Sequence, residues 1–317
     1  MGSKDTLRRI MHDLNFRFKR VKNNRQILAE KEDVRYMRIK YLRDIKKYRS
    51  EGRDIVYADE TYIHSSHTKE YVWYDGSNMG LKKPINKGER LIIVHAGSEK
   101  GFVPGALLIY KSSQSTGDYH DNMNKSNFEQ WLENRLIPNL NPKTVLVLDN
   151  AAYHNTRVSQ IPNSNSKKAD MQAWLTKNGI LFDPDLLRPE LYEIIKKNKF
   201  HHIEYSVDKI MSAHGQVVLR LPPYHPDFNP IENIWAQIKG HVSSQNVAMN
   251  LTKVKELVEN KVNSIGPEDW KKVVEHAKKC EAEFMRWEHK IDGWIEKLLI
   301  HVSDSSDSDD MQISDSD

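Results

Sequence analysis

The spacing of hydrophobic residues changes several times along the chain, and each change predicts an element of secondary structure. At Arg53 a helical spacing gives way to alternation, because residues 53–63 (RDIVYADETYI) place side chains with a period of two, which predicts a strand. Residues 143–148 (KTVLVL) are almost continuously apolar, as in a central strand covered on both faces. Further strands are predicted near residues 71–74, 90–96, 105–111 and 217–221.

Helical spacing recurs on both sides of these strands. Residues 5–15 carry a single apolar stripe, and a helix this short needs a partner to fold, so it either ends a helix-turn-helix unit or packs as an ordinary helix. Residues 17–50 are basic and rich in helix formers, and a helix beginning at Ser126 has Glu129 as its capping-box partner. Further helices are predicted over residues 166–177 and 189–214, with breaks, and over residues 250–264 and 267–299.

The order of these elements predicts an α/β fold, a mixed sheet with helices packed on its faces. Changes in composition predict four parts along the chain. They are a basic N-terminal helical arm at residues 1–52, a sheet domain at 53–245 with a helical insertion at 160–214 before the last core strand, C-terminal helices at 246–301, and a disordered acidic tail at 302–317.

The overall composition excludes several classes of protein. Charged residues make up 29% of the 317, and the mean hydropathy is −0.71. No apolar run approaches the roughly 18 residues that a membrane helix needs, so no membrane partner is expected. The single cysteine, Cys280, cannot form an internal disulfide or a cysteine-based zinc site, which favours a reducing compartment.

Charge is distributed unevenly around a formal net value of +4. Residues 303–317 hold six aspartates and no basic residue, whereas residues 7–53 hold 16 Lys or Arg against six Asp or Glu. The basic excess indicates a polyanionic partner, most simply nucleic acid, although a solvated basic helix has the same composition. The candidate phosphate contacts are Arg8, Arg9, Arg17, Lys19, Arg20 and Lys22.

Three acidic residues lie where a buried carboxylate would be costly. Asp59 is in the middle of a predicted strand, Asp149 ends an aliphatic strand, and Glu232 opens a predicted helix. If they converge, they repel one another, and a divalent cation would remove that penalty. Carboxylate oxygens favour Mg²⁺ or Mn²⁺. Two such ions about 4 Å apart can activate a water or a 3′-hydroxyl at a phosphodiester.

Each acid also has a simpler interpretation. Asp59 could be a turn residue with Glu60 as the ligand instead, since the alternation puts the two on opposite faces of the strand. Asp149 could be a loop or helix-cap residue. Glu232 could complete a capping box with Asn229 as N-cap and Pro230 after it.

Two histidines and an asparagine lie near these acids in the sequence. His154 follows Asp149 by five residues, and His225 precedes Glu232 by seven. Each histidine either contacts a scissile phosphate or packs within its loop, and we favour packing. Asn150, directly after Asp149, is a further candidate neighbour of the site.

The sequence segments around the three acids resemble the motifs of a known family. VYADETYIH, VLVLDNAAYHNTR and RLPPYHPDFNPIENIWAQIK, in this order, are similar to the motifs of DDE transposases of the Tc1/mariner and IS630-like group, over roughly residues 1–245. The resemblance implies an RNase H-like fold and two Mg²⁺ or Mn²⁺ ions held by Asp59, Asp149 and Glu232. It also implies cleavage of double-stranded DNA at transposon ends and joining to a target, by a homodimer that acts in the nucleus of a eukaryote or the cytoplasm of a bacterium.

The chain departs from that group in two ways. The 82 residues between Asp149 and Glu232 exceed the few tens usual in Tc1 and mariner proteins, which predicts an ordered insertion at 160–214. The N-terminal arm resembles only part of a helix-turn-helix region. A truncated or host-adopted DNA-binding protein without transposition activity is therefore the alternative function. An RNase H acting on hybrids is a third, which the basic arm and the transposase motifs disfavour.

Overall fold

The computed structural model describes residues 32–69, 88–112 and 123–303. The chain divides into two units after Arg35, and the sheet lies in the unit from Tyr36 onward. Several predictions therefore lie outside the described residues: the helix at 5–15, the strand near 71–74, the acidic tail beyond residue 303, and the candidate phosphate contacts Arg8, Arg9, Arg17, Lys19, Arg20 and Lys22.

Within the described residues, six strands form one mixed sheet in the order β3-β2-β1-β5-β6, with β4 also pairing with β2. Strand β1 runs antiparallel to β2 and parallel to β5, which in turn runs parallel to β6. The predicted mixed sheet is confirmed. The strands are β1 (Ile55–His64), β2 (Arg90–Ser98), β3 (Gly101–Phe102), β4 (Leu108–Lys111), β5 (Val145–Leu148) and β6 (Val217–Arg220).

Helices flank the sheet, and one predicted helix start was wrong. The region 189–214, predicted to be helical with breaks, forms two helices, which are separated at residues 199–205 by a tight turn and an extended segment that pairs Tyr205 with Arg157. The helix predicted to begin at Ser126 instead begins at Lys125 with Asn124 as its cap, whose side chain accepts a hydrogen bond from the Asn127 amide at 2.9 Å. The helices are α1 (Glu32–Ser50), α2 (Lys125–Trp131), α3 (Lys168–Lys177), α4 (Arg188–Asn198), α5 (Ser206–Ala213), α6 (Pro230–Gln245), α7 (Leu251–Ser264) and α8 (Pro267–Ser303).

The alternation along β1 divides the core into two layers. Tyr57 and Ile63 face a cluster completed by α1, α6, α7 and α8. Val56 and Ala58 face the opposite cluster, which α2 and α5 cover. Burial of apolar side chains on both faces is what a central strand between two helical layers requires.

The long connection between β5 and β6 contains a small core of its own. Trp174 and Leu175 of α3 pack with Leu191 and Ile195 of α4 in a separate cluster. Helix α5 differs, because its buried residues belong to the cluster under the sheet. The predicted insertion therefore consists of α3 and α4, while α5 is the helix that returns the chain to β6. The predicted division of the whole chain into four parts stays a prediction.

Strand register brings the first two candidate acids together. Tyr57 pairs with Val147 across the parallel strands β1 and β5. Continuing that register by two residues places Asp59 level with Asp149, and neighbouring strands are about 4.8 Å apart. The carboxyl ends of β5 and β6 lie at the same edge of the sheet, so the residues that follow both strands meet there. In the described part of the chain, no helix combines the length and the apolarity needed to cross a membrane.

Candidate active site

A cleft of about 370 Å³ opens at the carboxyl ends of β5 and β6. All three candidate acids line it, although they come from three separate elements of the fold. The remaining lining residues are Asn150 and Ala151 after β5, Leu221, Pro222, Pro223, Tyr224, His225 and Pro226 after β6, and Asn229 before α6.

Asp59 is held at the base of this cleft. It is only 6% exposed, and the indole Nε1–H of Trp235 donates a hydrogen bond to its Oδ2 at 3.0 Å. Burial raises the pKa of Asp59 well above its usual range, and the nearby charges of Glu60, Glu232 and Asp149 raise it further. Without a cation, the site thus opposes the ionised form of its central carboxyl group.

Asp149 follows β5 directly, and contacts with two residues that follow it in the chain orient its side chain. Its Oδ1 accepts a hydrogen bond from the Ala151 amide at 3.0 Å and lies 2.7 Å from Nδ1 of His154. The Asp149 side chain remains 39% exposed, so it borders the cleft while one of its oxygens is tethered.

His154 is packed under Asp149 and does not line the cleft. Its side chain is fully buried, and its Nε2 lies 3.3 Å from Oε1 of Glu60. Burial lowers the pKa of His154, but the charge of Glu60 and the hydrogen bonds to both carboxylates outweigh burial and raise it to about 10. Of the two interpretations made from sequence, packing within the loop describes its position.

Glu60 occupies the face of β1 opposite to Asp59, as the alternation predicts. Its Oε2 accepts a hydrogen bond from the Tyr153 hydroxyl at 3.0 Å, and its Oε1 faces His154. Because Glu60 does not line the cleft, the alternative in which it replaces Asp59 as a ligand does not fit the structure.

Glu232 projects from the first turn of α6. The capping box considered from sequence is wrong, since no side-chain cap hydrogen bond forms at Asn229. Pro230, whose ring favours the first helical position, starts the helix instead. Partial burial raises the pKa of Glu232, Lys239 lowers it, and Asp149 raises it. The carboxylate is therefore available to the cleft rather than committed to the helix end.

His225 and Asn150 complete the walls. The ring of His225 stacks on Phe228 with centroids 5.1 Å apart, and its Nε2 lies 3.2 Å from the guanidinium of Arg38. Arg38 also forms a buried ion pair with Glu288 of α8. The side-chain amide of Asn150 donates to the Leu221 carbonyl, which ties the segment after β5 to the segment after β6.

The donor set of the cleft fits a hard divalent cation. Besides the three carboxylates, Oδ1 of Asn229 is buried and has no hydrogen-bond partner in the described residues. Oxygen ligands of this kind suit Mg²⁺ or Mn²⁺. Within residues 32–69, 88–112 and 123–303, no group of three or more His, Cys, Asp or Glu side chains is arranged so that it could hold a metal ion, the three acids of the cleft included. Mg²⁺ commonly uses one or two carboxylates together with water and substrate phosphates, which such an open cleft accommodates.

Comparison with known proteins decides the family. Residues 54–255 match the profile of the DDE superfamily endonucleases. The chain belongs to that family. The match spans all three acids of the cleft, and the resemblance to DDE transposases of the Tc1/mariner type that the motifs predict is confirmed.

Solved structures support the fold of this DDE endonuclease. A pre-cleavage Mos1 transpososome matches with a TM-score of 0.52 and 15% identity, covering 89% of this chain and 70% of the other. A Mos1 transposase paired-end complex with the left transposon end matches with a TM-score of 0.51 and 14% identity over the same shares. The predicted RNase H-like fold is thereby confirmed. Among curated proteins none matches this chain.

Sequence reasoning missed the side chains that orient the acids. The sequence marks Trp235 only as an apolar residue of the helix that Glu232 opens, yet its indole also donates to Asp59. Glu60 was considered as a rival ligand and His154 as a packed residue, whereas together they reach Asp149. Spacing alone could not reveal these contacts, because each joins segments more than 90 residues apart, apart from His154 with Asp149.

Proposed function

We propose that this DDE endonuclease cuts and joins DNA phosphodiesters as a Tc1/mariner-like transposase. Two Mg²⁺ or Mn²⁺ ions would be held by Asp59, Asp149 and Glu232. The observation that carries the proposal is the convergence of these acids, from β1, the end of β5 and the start of α6, on one cleft. Burial raises the pKa of Asp59, and the charges of Glu60, Glu232 and Asp149 raise it further; a bound cation would remove that penalty on the ionised carboxylate.

The residues of the cleft would have different roles in binding the ions and the substrate. When bound, the ions supply activation of a water or a 3′-hydroxyl and stabilisation of the leaving oxygen. Trp235 and His154 hold Asp59 and Asp149 in place, whereas Glu232 is free of a cap bond and can adjust. The N-terminus of α6 borders the same cleft, and the positive end of its helix dipole favours a phosphate group there.

Double-stranded DNA, as transposon ends and target, is the proposed substrate. The support is the basic excess of residues 7–53 and the resemblance to transposases that were solved as a transpososome and a paired-end complex. We further propose a homodimer that acts in the nucleus of a eukaryotic host. Neutralising Arg17, Lys19, Arg20 and Lys22 should flatten the salt dependence of DNA binding, by about 0.9 per lost phosphate contact. An unchanged slope would remove these four side chains from the DNA interface.

A nicking assay tests the catalytic proposal. Supercoiled plasmid is incubated with the full chain and Mg²⁺, and conversion to the nicked form is compared between the wild type and Asp149→Ala. Asp54→Ala, which changes an aspartate just before β1 and outside the cleft, is the matched control. We expect nicking by the wild type and the control and none by Asp149→Ala. Equal nicking by all three would refute the catalytic role.

The same assay separates the alternative functions. DNA binding without nicking by the wild type would favour a transposase-derived binding protein whose chemistry is lost. Cleavage of an RNA–DNA hybrid in preference to duplex DNA would favour an RNase H activity instead.

A further inference from the structure

Glu60 is a buried carboxylate that the proposed chemistry leaves unused. It is 4% exposed, follows Asp59 directly in β1 and points to the opposite face of the sheet. Burying a carboxylate is costly unless it is paired and hydrogen-bonded. Two adjacent buried acids on a central strand double that cost, so the contacts of Glu60 need an explanation beyond packing.

Both carboxylate oxygens of Glu60 are engaged by the segment that follows Asp149. The Tyr153 hydroxyl donates to Oε2 at 3.0 Å, and Nε2 of His154 faces Oε1 at 3.3 Å. The other ring nitrogen of His154 lies 2.7 Å from Oδ1 of Asp149. The imidazole thus bridges Glu60 and Asp149, with one ring nitrogen directed to each.

The apolar surroundings keep this bridge in place. The Phe128 ring of α2 lies 4.3 Å from the imidazole, centroid to centroid, and the Tyr153 ring lies 4.5 Å away on edge. With no exposed surface, the His154 side chain has little freedom to choose other partners. Since the carbonyl of His154 also accepts from Arg220 of β6 at 3.3 Å, its backbone is tethered to the sheet as well.

The bridge has a geometric consequence for the cleft. Glu60 and Asp59 are neighbours on one strand, so the link from Asp149 through His154 to Glu60 also sets the position of Asp149 relative to Asp59. Asp149 lies just beyond the last residue of β5, where the ladder no longer holds the chain. Asp149 has no strand hydrogen bonds to fix its backbone, and the contacts of His154 hold it there instead. This is the point at which the distance between the Asp59 and Asp149 carboxylates is set.

We propose that Glu60 and His154 are positioning residues that hold the Asp149 carboxylate at the spacing from Asp59 that a divalent cation needs. This inference rests on the proposed function, in which Asp149 is a metal ligand. Hydrogen-bond partners of metal-ligating carboxylates typically affect metal affinity, and that effect can be measured without any reaction.

Metal binding to the full chain tests the proposal. Mn²⁺ is titrated into the DNA-free protein, and the free ion is measured by electron paramagnetic resonance. We expect His154→Ala and Glu60→Leu to weaken Mn²⁺ binding by roughly 10–100-fold. Glu60→Gln should weaken it much less, because the amide keeps the shape and can still bond to both Tyr153 and His154.

A matched variant separates positioning from general destabilisation. Asn246 is also buried, and its side chain donates to the carbonyls of Ser65 and His67, at 2.7 and 3.1 Å, at the far end of α6. Asn246→Ala should lower the melting temperature without changing Mn²⁺ affinity. Wild-type affinity in His154→Ala, or equal affinities in Glu60→Leu and Glu60→Gln, would overturn the proposal.

Two further variants keep the outcome decisive. If His154→Ala does not fold, His154→Gln replaces it, because its amide fills similar space but reaches only one carboxylate well; unchanged affinity there would overturn the proposal. Asp149→Ala identifies the source of a failure. If Asp149→Ala binds Mn²⁺ as tightly as the wild type, the proposed metal site fails and the positioning role with it. If Asp149→Ala loses binding while the His154 and Glu60 variants keep it, only the positioning role fails.

Discussion

The two ends of the paired strands β1 and β5 differ in how their acidic residues are compensated. At the amino end, a cleft of about 260 Å³ is lined by both signs of charge, and its acids are paired with basic side chains. At the carboxyl end of β5, level with Asp59 in the middle of β1, neither Asp59 nor Glu232 forms an ion pair with Lys or Arg within the described residues. The pairs at the amino end are Asp54 with Lys100, Glu99 with Lys278, and, just behind the cleft, Glu281 with Arg49.

This difference indicates which end serves the fold and which serves binding. Paired carboxylates are stabilising or neutral in the folded protein, whereas crowded carboxylates raise its free energy until a cation arrives. The fold accepts that cost at the carboxyl end of β5, where the Asp59 pKa is raised, and avoids it at the amino end, where Lys100 lowers the pKa of Asp54. A substitution at one end can therefore be compared with a substitution at the other.

The largest effect is expected for Asp59→Asn. The amide still accepts from Trp235, so the fold is kept, but nicking should fall by roughly 10³-fold or more, since losing a ligand costs more than the roughly 10–100-fold typical of losing a ligand's hydrogen-bond partner. Removal of the crowded charge should at the same time raise the melting temperature in metal-free buffer. Plasmid nicking and calorimetry measure the two. A variant that nicks normally, or that melts lower than the wild type, would contradict the contrast between the ends.

Glu281→Gln should have the opposite pattern. Glu281 is buried and binds the guanidinium of Arg49, which also donates to the Tyr57 hydroxyl at 3.0 Å. Removing one partner of a buried pair typically costs about 3–5 kcal/mol, and we expect about 3 because Arg49 is partly exposed. Denaturant unfolding measures the loss. Nicking should stay at the wild-type level below the melting temperature; a parallel loss of nicking would mean that the two ends are coupled.

Stability should depend on pH with opposite sign at the two ends. The folded pKa of Asp59 lies above its unfolded value, so its contribution is present at low pH and is lost as pH rises above about 4 through the folded pKa. The folded pKa of Asp54 is lowered, so its contribution is present above about pH 4 and is lost as pH falls through the folded pKa.

The corresponding amides test this sign. In metal-free buffer, Asp59→Asn should remove a decrease in unfolding free energy with rising pH, of at most about 1.4 kcal/mol per pH unit. Asp54→Asn should remove a smaller change in the other direction. Chemical unfolding at a series of pH values measures both slopes. The same sign for both would show that the charge environments of the two ends are alike.

The smallest effect is expected for Lys100→Ala. Its ammonium bonds to Asp54, but the lysine side chain is 68% exposed, and exposed pairs contribute about 0.2–1 kcal/mol. The change should vanish in high salt, where screening weakens such pairs. A loss well above 1 kcal/mol, or one insensitive to salt, would place this pair with the buried one at Glu281.

Much of the fold could be predicted from sequence because its signals are local. The alternation through Asp59 and the aliphatic run before Asp149 each predict a strand from neighbouring residues alone. Breaks in the helical region 189–214 could be predicted, but not their position, since the chain there pairs Tyr205 with Arg157, far from it in sequence. Similarly, Asn124 and Ser126 both have side chains that can cap a helix, and the sequence alone does not show that Asn124 is the cap.

The candidate site divides in the same way. The three acids could be selected because each interrupts an apolar or helical pattern and lies in a recognisable motif. Their supports could not, because Trp235, Glu60 and His154 fit ordinary core positions equally well in one dimension. The capping box at Glu232 shows the converse, since a sequence that satisfies the local rule leaves the cap bond unmade in three dimensions.

The separate core of α3 and α4 has a consequence for how such enzymes diversify. Neighbouring parallel strands such as β5 and β6 must be joined by a crossover, and lengthening it adds little entropic cost with each further residue. A crossover that folds on itself can therefore change in length while the edge of the sheet that carries the acids stays intact. The number of residues between Asp149 and Glu232 is then set by this crossover and not by the geometry of the cleft.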